Sequence, residues 1–356
     1  MSYDYSEIVP YLLKWFDYNA RILAWRENPR PYYVWVSEIM LQQTRVEAVK
    51  GYFDRFITAL PDVGALSEVD EEKLLKLWEG LGYYNRVRNM QKTARIIMKE
   101  YQGELPPDYD KLLELPGIGS YTAGAIASIA YGLSVPVVDG NVLRVTKRIA
   151  GSLDDITKDR VKKELWQDLF SILPGDRPGD FNQALMELGA IVCLPNGKPL
   201  CGQCPVMHLC RAFHEDTISE IPVKPAAKER RKEERTILLI EYQDKYAIRK
   251  RPDSGLLAGL WELPSLEGSL SSKELEDFLQ DLGAPMDEIK PLGKAKHIFS
   301  HVEWHMLGYF VKLTDMPCQE ELLKLIGKWA DREEINNNYS IPNAFSAYTA
   351  RFREDK

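Results

Sequence analysis

Four of the five cysteines fall within one short stretch, CLPNGKPLCGQCPVMHLC, at Cys193, Cys201, Cys204 and Cys210. The spacing is C-x7-C-x2-C-x5-C. The opening residues, MSYDYSEIVP, lack the basic and then apolar run of a signal peptide, so an intracellular location and reduced thiols are expected. Four thiolates so close together suit tetrahedral zinc or a [4Fe–4S] cluster. Zinc modules more often use two CxxC knuckles, and only one is present, which favours the cluster. Cys318 stands alone and reads as a packed thiol.

Two carboxylates are candidates for acid–base work. Glu38 sits in VWVSEIMLQQTRV, where Val34, Trp35, Leu41 and Gln42 are its neighbours at helical spacing. A glutamate there is either turned to water or buried for use as an acid. An unperturbed Glu has a pKa of about 4.3 and is ~0.2% protonated at pH 7. Acid duty needs a rise of roughly two units, about 2.7 kcal/mol, and apolar surroundings push that way. Asp139, in VPVVDGNVLRV, precedes a helix with Val142, Val145 and Ile149 on one face. It reads as an N-cap, and an ionised cap could still face a developing positive charge.

The stretch LPGIGSY, Leu115 to Tyr121, breaks a helical region and restarts it at once. Gly117 and Gly119 permit positive φ and close backbone approach. Their amides and that of Ser120 would sit at the start of the second helix, where unpaired donors and the dipole suit a phosphate. The small residues Ala123, Gly124, Ala125, Ala127 and Ala130 let the two helices approach. A helix–hairpin–helix that grips DNA phosphate has this form, and so does a plain tight turn.

The elements that must position these groups are mostly helical up to about Arg211. Apolar residues recur at three- and four-residue spacing, and breaks fall at Glu27–Pro31, Gly103–Pro107 and Pro174–Gly179. Tyr109–Leu115 and Thr122–Tyr131 read as the hairpin helices. Residues 213–235, ending in IPVKPAAKERRKEER, read as a linker. Beyond it TILLIEY and KYAIRKR flank a turn at Gln243 and Asp244, a hairpin signal. Ser271–Leu282 reads as an amphipathic helix, His301–Leu313 as one long strand and Leu322–Trp329 as a short helix, together an α/β domain over 236–356. The chain of 356 residues carries a formal charge of −7. That charge argues mildly against nucleic acid unless local features supply the contacts. Backbone amides at the hairpin would do so, helped by Arg86, Arg88, Lys92 and Arg95 and by Arg144, Lys147 and Arg148. No stretch approaches the ~20 apolar residues of a membrane span.

Taken in order, SEIMLQQT, GLGYYNRVRN, LPGIGSYTAGAI, VVDGNV and the four cysteines resemble the endonuclease III superfamily of helix–hairpin–helix DNA glycosylases. Within it, the resemblance from about Asp17 to Arg211 is to the MutY type, which removes adenine mispaired with 8-oxoguanine. The C-terminal part is similar to that family's Nudix-like recognition domain. The resemblance implies a multidomain protein: an all-α helix–hairpin–helix core with a [4Fe–4S] cluster module, plus an α/β Nudix-like domain. Residues 1–212 would be the all-α catalytic region, with 28–135 the six-helix subdomain and 1–27 with 136–212 the cluster subdomain.

Carried over by position, the resemblance makes Glu38 the acid that protonates adenine and Asp139 the carboxylate that stabilises the oxocarbenium-like sugar. Tyr121 and Asn141 line the site. Arg21, Trp25, Arg26 and Leu41 match the adenine pocket. Gln43, Leu81 and Tyr83 match residues that probe or wedge the base stack, with Thr44 a further substrate contact. Gly117, Gly119 and Ser120 would hold phosphate, and Cys193, Cys201, Cys204 and Cys210 the cluster. The x7 spacing departs from the family's usual x6, so the Cys193–Cys201 loop must bulge. Lyase relatives carry a Schiff-base lysine where Tyr121 stands, so base removal without strand cleavage is implied. In WELPSLEGSLSSKELEDFLQ the Nudix magnesium pattern fails, which implies a kept fold and lost hydrolysis. HIFSH matches the family loop whose counterparts here, Phe299, Ser300 and His301, would contact 8-oxoguanine. The implied partner is double-stranded DNA with A:8-oxoguanine or A:G mispairs, met by a cytoplasmic, nucleoid-associated monomer, with no membrane and with repair-protein contacts at the linker. An oxidised-pyrimidine glycosylase, a non-catalytic iron–sulfur DNA-binding protein and a Nudix hydrolase are the rivals.

Overall fold

The computed structural model describes residues 3–226, 229–350 and 352. The chain divides into two compact units, Met1–Glu68 with Asn85–Ala226 and Val69–Tyr84 with Ala227–Lys356. The segment Val69–Tyr84, expected inside the helical region, therefore packs with the C-terminal unit.

The first unit is helical. Its N-terminal helix Ile8–Asn19 buries Ile8, Leu12 and Phe16 against Val142, Val145 and Ile149 of the helix Gly140–Ala150 and against Phe181, Leu185 and Leu188 of the helix Pro178–Ile191. That apolar stripe at three- and four-residue spacing is what drives the three together. Local chemistry sets the helix ends. Asp139 caps Gly140–Ala150, whose last turn closes on Gly151 in the left-handed conformation. Pro31 and Pro178 open their helices at the first turn, where a missing N–H costs nothing. The helix Pro31–Leu41 is buried on nearly every side, through Tyr32, Val34, Trp35, Val36, Ile39 and Met40. The hairpin joins Tyr109–Glu114 to Ser120–Ala125, and the second helix continues in π form over Ile126–Ala130. No helix among the described residues is long and apolar enough to cross a membrane.

The second unit carries a seven-stranded mixed sheet: β1 (Arg231–Tyr242), β2 (Lys245–Lys250), β3 (Trp261–Glu262), β4 (Ser265–Glu267), β5 (Met286–Ile298), β6 (Val302–Leu313) and β7 (Lys328–Asp331). The order is β3-β2-β1-β6-β5, with β4 paired to β1 and β7 to β2. β1 and β6 run parallel, and the other pairs are antiparallel. The run Ile237–Ile240 is buried on both faces: Ile237 and Leu239 join one core, Leu238 and Ile240 the other. Helices Ser272–Asp281 and Glu320–Ile326 cover the second core. The hairpin expected at Gln243 and Asp244 forms, with φ of 48° and 61°, the left-handed pair of a type I′ turn.

Three readings need correction. The linker ends early, because β1 already begins at Arg231, where charged side chains stay outside a backbone paired with β6; Ala227 and Lys228 lie outside the described residues. The helix expected over Leu322–Trp329 stops at Ile326, since Gly327 at φ 78° turns the chain into β7. Cys318, expected to be packed, is exposed in the loop after β6.

Candidate active site

Glu38 lies three-quarters of the way along the buried Pro31–Leu41 helix and is only 6% exposed. The Tyr121 hydroxyl, from the first turn after the hairpin, donates to Glu38 Oε2. Burial pushes the Glu38 carboxyl up from 4.5 to about 7. The Tyr121 hydrogen bond opposes that rise, the negative Asp139 adds to it, and Arg26 opposes it. Burial, then the charges of Glu38 and Asp139, hold the Tyr121 phenol well above its ordinary pKa, so it stays a donor.

Asp139 is the expected N-cap: Oδ1 accepts from Val142 N at 2.7 Å, and Oδ2 from Asn141 Nδ2 at 2.8 Å. Burial raises its pKa, while these donors and the charge of Arg144 push back. Asn141 Oδ1 accepts in turn from Arg144 Nη2 at 3.0 Å. The Pro178–Ile191 helix comes so close here that a Cβ at Gly189 would stand 2.6 Å from Asn141 Cβ.

Arg21 and Arg26 converge on a residue that sequence reasoning did not single out. Glu187, 1% exposed, accepts from Arg21 Nε at 2.6 Å, Arg21 Nη2 at 2.8 Å and Arg26 Nη2 at 2.8 Å. Burial alone would raise its pKa, but the two guanidiniums outweigh it and hold Glu187 near about 2. Its signal was the one used for Glu38, a lone carboxylate in an apolar helix, FNQALMELGAI. Met186, beside it, brings Sδ within 3.5 Å of the Tyr121 hydroxyl. Trp25 is buried edge-on to Phe53, and Leu41 ends the Glu38 helix, half-buried.

At the hairpin, Gly117 has φ 78°, and a Cβ there would meet Asn89 Cβ at 2.8 Å. Gly119, also expected to use positive φ, does not; it is an extended N-cap at φ −91° with open space around it. Ile118 is buried, Ser120 is exposed, and no side chain caps the following helix. Of the expected basic clusters, Arg144, Lys147 and Arg148 are turned inward, while Lys92 and Arg95 are exposed. Arg86 donates to the carbonyls of Ile39 and Gln42, and Arg95 to that of Ser67. Arg144, Lys147 and Arg148 are buried, bonded to Cys193 O, Asp154 and Ile221 O. Arg86, Arg144 and Arg148 thus serve buried carbonyls, and Lys147 pairs with Asp154, so these four do not face a phosphate.

Gln43 is exposed at φ 62°, just past the Glu38 helix, with Thr44 beside it. In the C-terminal unit Tyr83 is 49% exposed at φ 49°, while Leu81 is buried. Both residues hold the left-handed backbone at a cost while their side chains stay exposed. Phe299, Ser300 and His301 form the tip between β5 and β6, closed by Phe299 N to Val302 O at 2.8 Å. Phe299 stacks edge-on against Trp304, and Ser300 Oγ lies 2.9 Å from the Tyr83 hydroxyl.

Cys193, Cys201, Cys204 and Cys210 line one cavity, walled also by Arg148 and by apolar side chains such as Val145, Ile149, Leu188 and Val206. Backbone amides point at the sulfurs, Val206 at Cys204 and Phe213 and Ala212 at Cys210, and Arg148 Nη1 lies 3.3 Å from Cys193 Sγ. N–H donors and a guanidinium around sulfur suit thiolate ligands. Among the described residues no three His, Cys, Asp or Glu are arranged to hold a metal ion. The Cys193–Cys201 loop is tied at its base by Leu200 N to Val192 O at 2.9 Å, and Gly197 turns it at φ 73°.

The model of the HhH-GPD superfamily of base excision DNA repair proteins matches residues 36–169, and that of the NUDIX domain matches residues 235–351. The adenine DNA glycosylase of Mus musculus is 38% identical, over 86% of this chain and 71% of its own. That of Buchnera aphidicola subsp. Schizaphis graminum is 33% identical over 95% of both chains. Two solved structures match the helical region, each over 59% of this chain and 96% of theirs. A thermostable thymine-DNA glycosylase superposes with a TM-score of 0.54 at 28% identity. A trapped endonuclease III–DNA covalent intermediate superposes with 0.51 at 26%.

Proposed function

This chain belongs to the adenine DNA glycosylase family, and on that premise we propose how its own residues carry the reaction. It is a DNA glycosylase of base excision repair, a helix–hairpin–helix core joined to a Nudix domain. The adenine it removes is the one opposite 8-oxoguanine or guanine, and the observation that carries the reading is Glu38, buried beside Tyr121 with a pKa of about 7. About half of such a carboxyl is protonated at pH 7, against well under one per cent for an ordinary Glu.

A stacked adenine is out of reach, so it must be flipped, at a few kcal/mol. Gln43, Thr44 and Tyr83 work at the stack, whereas Leu81, expected there, is buried, and the amides of Gly117, Gly119 and Ser120 seat a phosphate. Arg21, Trp25, Arg26 and Leu41 wall the adenine, the two arginines oriented by Glu187. Glu38 donates its proton to the purine ring as the bond from the sugar to the base breaks and its electron pair leaves with the base. Asp139 faces the positive charge that grows on the sugar, and water completes the abasic site. The two carboxyls are wired for these separate duties. Glu38 has one phenolic donor and can keep a proton, whereas Asp139 has two N–H donors that favour its anion. With tyrosine at position 121 there is no amine to form a Schiff base, so the strand stays intact.

Phe299, Ser300 and His301 read the 8-oxoguanine. Cys193, Cys201, Cys204 and Cys210 would hold a [4Fe–4S] cluster, which when bound would tie the chain just after the helix Pro178–Ile191 to the 201–210 loop. Single-turnover excision of adenine opposite 8-oxoguanine, guanine and thymine tests the reading. It expects 8-oxoguanine first, guanine next and thymine last, with the order weakened in a Ser300→Ala, His301→Ala double variant. Equal rates opposite all three bases would refute it.

A further inference from the structure

The stretch that carries Leu81 and Tyr83 belongs, by packing, to the C-terminal unit, although the catalytic helices flank it on both sides in sequence. Its attachment is specific. Helix Glu71–Leu77, capped by Asp70, presents Lys76 to the end of helix Arg332–Asn338. Lys76 Nζ donates to Tyr339 O at 3.0 Å and Ile335 O at 3.3 Å and pairs with Glu79 Oε2 at 2.8 Å. Those carbonyls lie in the last turn and at the C-cap, where backbone groups lack helical partners and the dipole is negative, so an ammonium is favoured there. The other oxygen of Glu79 accepts Ile341 N at 3.1 Å. Both side chains are largely desolvated, at 19% and 12% exposure. Just beyond, Tyr84 lies 3.3 Å from Ser340 Oγ through its hydroxyl, and Trp78 Nε1 donates to Gly82 O at 3.1 Å. Between these supports the chain runs through φ of 101° at Gly80 and 68° at Gly82, which glycine adopts freely, and 49° at Tyr83, which a tyrosine holds only at a cost.

We propose that Lys76 and Glu79 are positioning residues for base flipping: seated on the Ile335–Ile341 segment, they hold the Gly80–Tyr83 loop in its strained form. The domain that inspects the opposite base thus also holds the loop that opens the stack. The inference rests on the reading of Tyr83 as a stack probe. Misplacing a positioned group by about an ångström costs on the order of a hundredfold, so loss of the anchor is felt at the loop.

The test uses the full-length protein and a duplex with 2-aminopurine at the adenine position opposite guanine, whose fluorescence rises on unstacking, beside single-turnover excision from the matching adenine duplex. Lys76→Met, which keeps the apolar stem, is expected to suppress the fluorescence rise and slow excision by about ten- to a hundredfold. The pH midpoint of the rate stays unchanged, because the Glu38 site is untouched. Lys76→Arg restores most of the rate. Glu79→Gln, which keeps an acceptor for Ile341, shifts both readouts the same way by a smaller factor and serves if Lys76→Met folds poorly. Normal flipping by Lys76→Met and Glu79→Gln, when Tyr83→Ala flips poorly, overturns the proposal. Normal flipping by Tyr83→Ala as well removes the stack-probe reading beneath it.

Discussion

Replacing Glu38 by Gln separates the cost of the acid from its use. In the folded chain the Glu38 carboxyl titrates near 7, against 4.5 when exposed, chiefly because burial disfavours its charge. A difference of about 2.5 units is ~3 kcal/mol. The sign follows from proton binding: between the two values the folded chain holds a proton that the unfolded chain has released. The stability carried by this one group is therefore full below pH ~4.5 and is lost as pH rises through 7. Glutamine has no charge to bury and its carbonyl can still accept from Tyr121. Glu38→Gln should thus match the native chain near pH 4.5 and exceed it by about 3 kcal/mol above pH 7, roughly 6–12 °C in Tm for a domain of this size. The same change should slow adenine excision by about 10²–10⁴-fold, the usual worth of a general acid. Paired thermal melts at pH 5 and pH 8, with single-turnover excision on the same preparations, measure both. A variant that loses stability at pH 8, or gains the same amount at both pH values, would refute the claim that a buried, charge-averse carboxyl sits there.

The remaining expectations concern neighbouring groups. Excision by the native chain should fall about tenfold per pH unit above 7, and Tyr121→Phe should move that limb to higher pH, since the phenol's hydrogen bond lowers the Glu38 pKa; a limb that stays put or moves down contradicts the assignment. Gly117→Ala should cost roughly 1–2 kcal/mol in backbone strain alone, with a clash against Asn89 added, whereas Gly119→Ala should fold normally and bind DNA more weakly. Native DNA affinity in Gly119→Ala would remove the phosphate from that seat. Borohydride added during turnover should trap no protein–DNA adduct, and a strong adduct would mean a nucleophilic amine has been overlooked.

The sequence made visible those features whose physics is local. An Asp before an amphipathic stretch reads as a cap and is one. Two polar residues between alternating strands read as a turn, and Gln243 and Asp244 take the left-handed conformations it needs. Glu38 was legible because its neighbours at helical spacing are apolar. What stayed hidden depends on partners far along the chain. Glu187 meets Arg21 and Arg26 across 166 and 161 residues. The basic residues of Gly140–Ala150 look solvated in one dimension, yet all three are buried, Arg144 and Arg148 satisfying carbonyls and Lys147 paired with Asp154. The allegiance of Val69–Tyr84 to the second unit is set by Lys76 and Glu79 bonding to backbone more than 250 residues on, for which no local pattern exists.

Adenine excision turns on one proton, the one held by Glu38. Isotope-edited infrared titration of glutamate-labelled protein, native minus Glu38→Gln, reads the Glu38 carboxyl itself. A protonated-carboxyl band should persist through pH 6 and vanish with a midpoint near 7. A midpoint near the ordinary 4.5 would contradict that role for Glu38.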